Sequence, residues 1–129
     1  AAAEGALQWT IAYIQERQVF GQPLAKFQNS RFKIAEMLTE VRSLRAFIDE
    51  CTLLLVAGEL DTATASMAKL KATEMQGEVI DGCLQLFGGY GYMREFPIAR
   101  AFVDARLQRI YGGTSEVMKE IIARDILGR

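Results

Sequence analysis

The chain has 129 residues and not one histidine, which removes the commonest general base and a leading metal ligand. A di-iron carboxylate bundle needs Glu-x-x-His pairs on facing helices and is excluded, as are Ser–His and Cys–His nucleophiles. No metal site is expected. The two cysteines, Cys51 and Cys83, lie far apart in apolar helical contexts without CxxC spacing. That predicts two buried free thiols in a reducing compartment rather than a disulfide. No apolar run is long enough for a signal peptide or a membrane span. Fifteen Lys and Arg against sixteen Asp and Glu give a net charge of −1, and the basic residues never cluster. Electrostatics therefore favour neither nucleic acid nor an anionic membrane. No segment alternates with period two for long enough to predict a strand. GxGxxG is missing, and the glycines at 88, 89 and 91 follow a helical segment where a dinucleotide fold needs a strand.

Half of the residues are hydrophobic and 24% are charged, an ordinary balance for one soluble globular domain with a real core. The first seven residues read as the middle of a helix, so the expectation is a single domain, residues 1–129, cut from a longer protein. Helical periodicity runs from the start to about residue 19, with Leu7, Ile11 and Ile14 apolar and Trp9 and Tyr13 beside them. Residues 20–24 break it, because Gly21 tolerates positive φ and Pro23 disfavours helix at the residue before it. A long helix is predicted over residues 27–57, with Phe32, Leu38, Val41, Leu44, Ile48, Cys51 and Leu55 at helical spacing. Residues 58–61 turn the chain, and Asp61 or Thr62 caps a third helix. Its face carries Ala65, Ala68, Ala72, Met75, Val79 and Leu86, small enough for neighbouring helices to come close. That helix stops at the glycines of residues 87–92. A fourth starts near Pro97, a residue suited to the first helical position, and runs to Tyr111. A last helix follows. The fold expected is all-α: an antiparallel four-helix bundle plus a short C-terminal helix.

The stretch IYGGTSEV at residues 110–117 joins the last two helices. Thr114 and Ser115 are both good N-cap residues, and Glu116 puts an acid in the first turn, where the helix dipole favours it. Paired glycines let backbone approach a ligand closely, and the free N–H groups of a new helix suit an anion or a carbonyl oxygen. The plain alternative is a corner that needs glycine only for its dihedrals.

Three motifs, RQVFGQPLAKFQ at residues 17–28, QLFGGYGY at 85–92 and IYGGTSE at 110–116, closely resemble the C-terminal helical domain of acyl-CoA dehydrogenases. The resemblance spans nearly the whole chain, in order. It implies a three-domain flavoprotein that removes two hydrogens from the α and β carbons of an acyl-CoA thioester and passes electrons through FAD to an electron-transfer flavoprotein. It implies a homo-oligomer as well, a dimer or a dimer of dimers, in a bacterial cytoplasm or a mitochondrial matrix. By the same resemblance Arg17, Phe20 and Gln28, with Gln85, Leu86, Phe87, Gly88 and Gly89, bind the FAD of a neighbouring subunit. Thr114, Ser115 and Glu116 bind their own subunit's FAD, and Tyr111, Gly112 and Gly113 pass over the thioester end of the substrate. A guanidinium such as that of Arg17 can hold phosphate oxygens in a bidentate fork. Taken singly, Arg17 reads equally as a solvated helix-end cation and Gln28 as a polar cap.

One position departs from the pattern. Many family members carry the catalytic glutamate where this chain has Gly112, and glycine cannot take the α proton. The long-chain and isovaleryl subgroup has a small residue there and keeps its base on the preceding helix. LDTATASMAK at residues 60–69 and the Tyr111-Gly112-Gly113 run resemble the long-chain members most. No catalytic residue is therefore expected in this chain; the base should lie before Ala1, and Glu4 falls about a turn too late. The fragment alone is expected to be inactive. The missing side chain at Gly112 leaves room for a longer or bulkier acyl group. Two other readings stay open: a related flavoprotein acting on a different substrate, and a structural helical assembly module.

Overall fold

The computed structural model describes residues 1–128. Five α-helices occur among them: α1 Ala2–Glu16, α2 Gln28–Ala57, α3 Thr62–Phe87, α4 Pro97–Gln108 and α5 Ser115–Leu127. Helix α3 is the axis and packs against each of the other four. The fold is all-α in class, as its periodicity predicts.

The first break differs from expectation. Helix α1 stops at Glu16 because Arg17 turns extended, with φ −65° and ψ 115°. Residues Gln18–Val19 (β1) and Gln22–Pro23 (β2) then form a two-residue antiparallel ladder. At its tip Phe20 has φ 50° and Gly21 φ 80°. Positive φ at both central residues is the signature of a tight type I′ hairpin, whose twist matches the strands it joins. Strands this short carry no alternation to read. A 3₁₀ turn, Leu24–Lys26, leads into α2.

The turn from α2 to α3 follows sequence chemistry closely. Gly58 adopts the left-handed conformation at φ 76°. Its N–H reaches Leu55 O at 3.1 Å, while the Glu59 N–H reaches Leu54 O at 2.8 Å, the paired bonds of a Schellman motif. Asp61, rather than Thr62, is the cap: its carboxylate accepts from the Thr64 N–H at 2.8 Å and the Thr64 hydroxyl at 2.6 Å.

The core runs along α3. Val79, Ile80, Cys83 and Phe87 meet Ala3, Ala6 and Leu7 of α1, Val41 and Leu44 of α2, and Ile98 and Ala105 of α4. Burying each of Leu7, Ile80 and Ile98 is worth about 1.5–3 kcal/mol. Gly82 permits the approach of α2, since a Cβ there would sit 2.7 Å from Met37 Sδ. Cys51 and Cys83 are buried and free, and burial pushes the Cys83 thiol up from its ordinary value. Not every periodic apolar residue is covered. Phe32, Leu38 and Leu55 on α2, together with Trp9 on α1, are exposed. Helix α4 stops at Gln108, short of Tyr111, because Gly112 (φ 63°) and Gly113 (φ 100°) turn the chain left-handed. Among the described residues, no helix is long and apolar enough to cross a membrane.

Candidate functional site

The end of α1 and the end of α3 enclose a cleft of about 430 Å³, bordered by Tyr13, Arg17, Leu24, Gln85, Gly88 and Gly89 among others. Arg17 is fixed at its backbone from both sides. Its N–H donates to Tyr13 O at 2.9 Å, and its carbonyl accepts from the Leu24 N–H at 2.8 Å. The guanidinium lies 5.2 Å from the centroid of the Tyr90 ring. Across the cleft, Leu86 and Phe87 are buried. Phe87 stacks on Tyr13 with ring centroids 4.1 Å apart, and its carbonyl accepts from the Tyr13 hydroxyl at 3.3 Å. Their side chains thus belong to the core, and only their backbone can serve a ligand.

The three glycines that follow divide by role. Gly88 (φ 61°) and Gly89 have open space where a Cβ would stand, whereas a Cβ on Gly91 would lie 2.6 Å from Leu84 O. Two line the cleft; the third lets the backbone pack. Phe20 and Gln28 are not among the cleft's bordering residues. Phe20 is 93% exposed at the hairpin tip, its ring edge-on to Phe27 at 6.4 Å. Gln28 is exposed as the first residue of α2.

The second predicted segment forms the corner between α4 and α5. Thr114, not Ser115, caps α5, its hydroxyl accepting from the Val117 N–H at 3.3 Å. Ser115 is 5% exposed, and among the described residues its hydroxyl has no partner. The Ser115 N–H closes the corner on Arg109 O at 3.3 Å. Glu116 is exposed, and its carboxyl is held below the usual range by its own backbone N–H and then by the Thr114 hydroxyl, with smaller help from Lys119 and Arg109. Tyr111 is exposed, and a Cβ on Gly112 would meet nothing. A Cβ on Gly113 would lie 2.5 Å from Met118 Cε. From α3, the Lys69 ammonium donates to Gly113 O.

The two segments are not brought together. Lys69 holds one near the start of α3 and Gln85 borders the other near its end. The sixteen helical steps from one to the other span roughly 24 Å. Tyr13, Tyr90 and Lys69 were not legible as site residues: Tyr13 and Lys69 lie in helical segments without a spacing signature, and Tyr90 stands in the glycine motif with no role of its own. Among the described residues no group of three or more Cys, Asp or Glu could hold a metal ion. The cleft can grip an anion and admit a flat ligand against bare backbone; the corner offers backbone and one ionised carboxylate.

The model for the C-terminal domain of acyl-CoA dehydrogenases matches residues 1–127. The chain is 49% identical over 126 residues to the mitochondrial long-chain specific acyl-CoA dehydrogenase of Sus scrofa, covering 98% of this chain and 29% of that protein. It superposes on an acyl-CoA dehydrogenase from Geobacillus kaustophilus with a TM-score of 0.95 and 42% identity, covering 98% of this chain and 33% of that one. A structure of the electron transferring flavoprotein of Acidaminococcus fermentans matches with a TM-score of 0.94 and 35% identity, over 99% of this chain and 34% of that one. The chain thus spans about a third of the length of the relatives it matches.

Proposed function

The chain belongs to the acyl-CoA dehydrogenase family, as its C-terminal domain, and on that premise we propose that it binds FAD and builds the oligomer of a longer three-domain enzyme. That enzyme oxidises acyl-CoA thioesters between the α and β carbons. One observation carries the reading: Arg17 and residues 85–89, from opposite halves of the chain, border a single cleft.

The residues present fit the cofactor. Among the described residues no carboxylate lies within ion-pair distance of the Arg17 guanidinium, so its N–H fork is available to a pyrophosphate. Gly88 and Gly89 leave bare backbone beside it for the adenosine half. At the far corner Thr114, Ser115 and Glu116 suit the polar edge of a flavin, and residues 111–113 the thioester. A span of roughly 24 Å along α3 supports assigning the cleft to a neighbouring subunit's cofactor and the corner to the subunit's own. Phe20 and Gln28, outside the cleft's border, then act across the subunit boundary. When bound, FAD would supply the hydride acceptor for the β carbon and the route by which electrons reach an electron-transfer flavoprotein. Gly112 has no side chain to receive the α proton, so that role is assigned to a carboxylate elsewhere in the full enzyme, as the resemblance to long-chain members implies.

Titration of the full-length apoprotein with FAD tests the reading. Arg17→Ala is expected to weaken binding about tenfold or more, the scale of a charge-assisted pair. Unchanged affinity would favour a helical assembly module. Bleaching of the bound flavin by acyl-CoA separates a dehydrogenase from a relative with another substrate.

A further inference from the structure

Tyr90 has no place in the three motifs' expected chemistry, yet the structure puts its ring under the one cation of the cleft-facing α1 terminus. We propose that Tyr90 is a positioning residue: it holds the Arg17 guanidinium over the cleft in readiness for phosphate, and it does so through a ring face rather than a hydrogen-bond acceptor. This rests on the cofactor reading above.

The geometry has two parts. The Arg17 backbone is locked by bonds to Tyr13 O and from the Leu24 N–H, so only the side chain remains to be placed. Its guanidinium then lies 5.2 Å from the Tyr90 centroid, within the range of a cation–π contact. Tyr90 is itself braced. Its ring is tilted against Phe96 at 5.4 Å, Phe96 sits edge-on to Phe87 at 5.8 Å and to Tyr13 at 6.3 Å, and Tyr13 stacks on Phe87. The aromatic set ties the ends of α1 and α3 to the start of α4, and Arg17 rests on its outer ring.

The choice of a ring over a carboxylate decides the chemistry. A carboxylate would hold Arg17 equally well, but it would take two of the five N–H groups and cancel the charge. A π face attracts the cation through its quadrupole and leaves the in-plane fork free. Fixing the side chain beforehand removes rotamer entropy from the binding step, which otherwise opposes affinity.

The test uses the full-length protein, stripped of flavin and titrated with FAD by fluorescence quenching. Tyr90→Leu is expected to raise the Kd about fivefold, and Tyr90→Phe, which keeps the ring, to stay within about twofold of wild type. The double variant Arg17→Ala/Tyr90→Leu should bind no more weakly than Arg17→Ala alone, because Tyr90 acts through Arg17. Additive losses, or a Phe variant as weak as the Leu variant, would overturn the proposal. So would a Tyr90→Leu protein binding like wild type while Arg17→Ala is impaired, a result that spares the cofactor reading. If Arg17→Ala binds normally, the cofactor reading itself falls. Thermal melting of each apoprotein identifies any variant that fails to fold; for Tyr90→Leu the Phe variant and the double cycle still decide.

Discussion

Adjacent glycines at 112 and 113 look interchangeable in sequence, and their surroundings separate them. Gly112 has left-handed φ and open space, so Gly112→Ala should destabilise by about 1 kcal/mol, the cost of an L-residue in that region. Gly113 at φ 100° would also drive a Cβ to 2.5 Å from Met118 Cε, the movable end of a flexible side chain, so Gly113→Ala should cost about 2 kcal/mol, more than Gly112→Ala. Urea unfolding of the two variants checks the order; equal losses would mean that Met118 moves aside freely. The same contrast bears on Gly112→Glu. Space does not forbid a carboxylate there; backbone conformation opposes it. Cys83 makes a second residue-scale case. Buried, with its thiol pushed above the ordinary range, it should resist a disulfide reagent in the native protein and react only on unfolding.

At the scale of elements, the α3 cap sets a pH signature. The Asp61 carboxyl is held below its ordinary value of 3.8, first by the Thr64 hydroxyl and then by the Thr64 N–H. A lowered carboxylate value contributes stability above the unfolded pKa and loses it as pH falls through the folded one. Asp61→Ala should therefore lower the melting temperature at neutral pH, and the gap to wild type should close below about pH 3.8. A gap that stays constant into acid would show that the cap is not electrostatic. Caps and long helices were legible because their causes are local: Gly58, Asp61, Pro97 and Thr114 act within one turn of themselves. The β1–β2 ladder was not legible, since a hairpin with two residues per strand is set by φ at Phe20 and Gly21 rather than by alternation. The α2 pattern was half legible. Val41, Leu44 and Cys51 are buried as predicted, while Phe32, Leu38 and Leu55 share their spacing and lie open, because periodicity defines a face without saying what covers it. Of the candidate site, the glycine segments could be read from sequence. The distance between them could not, since it depends on α3 lying straight between two corners.

For the molecule as a whole, exposed apolar side chains gather at the end of α2, where Leu53, Leu55 and Val56 are open. Such groups drive association when nothing covers them. Sedimentation of the isolated domain should show self-association that a Leu53→Glu/Val56→Glu pair diminishes; a monomer that ignores concentration would count against it. The position of α3 has a different consequence. The other four described helices pack on it, so the amides at its buried centre are expected to open to solvent only when the bundle comes apart. Hydrogen–deuterium exchange along Val79, Ile80 and Cys83 should then report the free energy of complete unfolding, while the Gln18–Pro23 hairpin exchanges orders of magnitude sooner through local opening of its own.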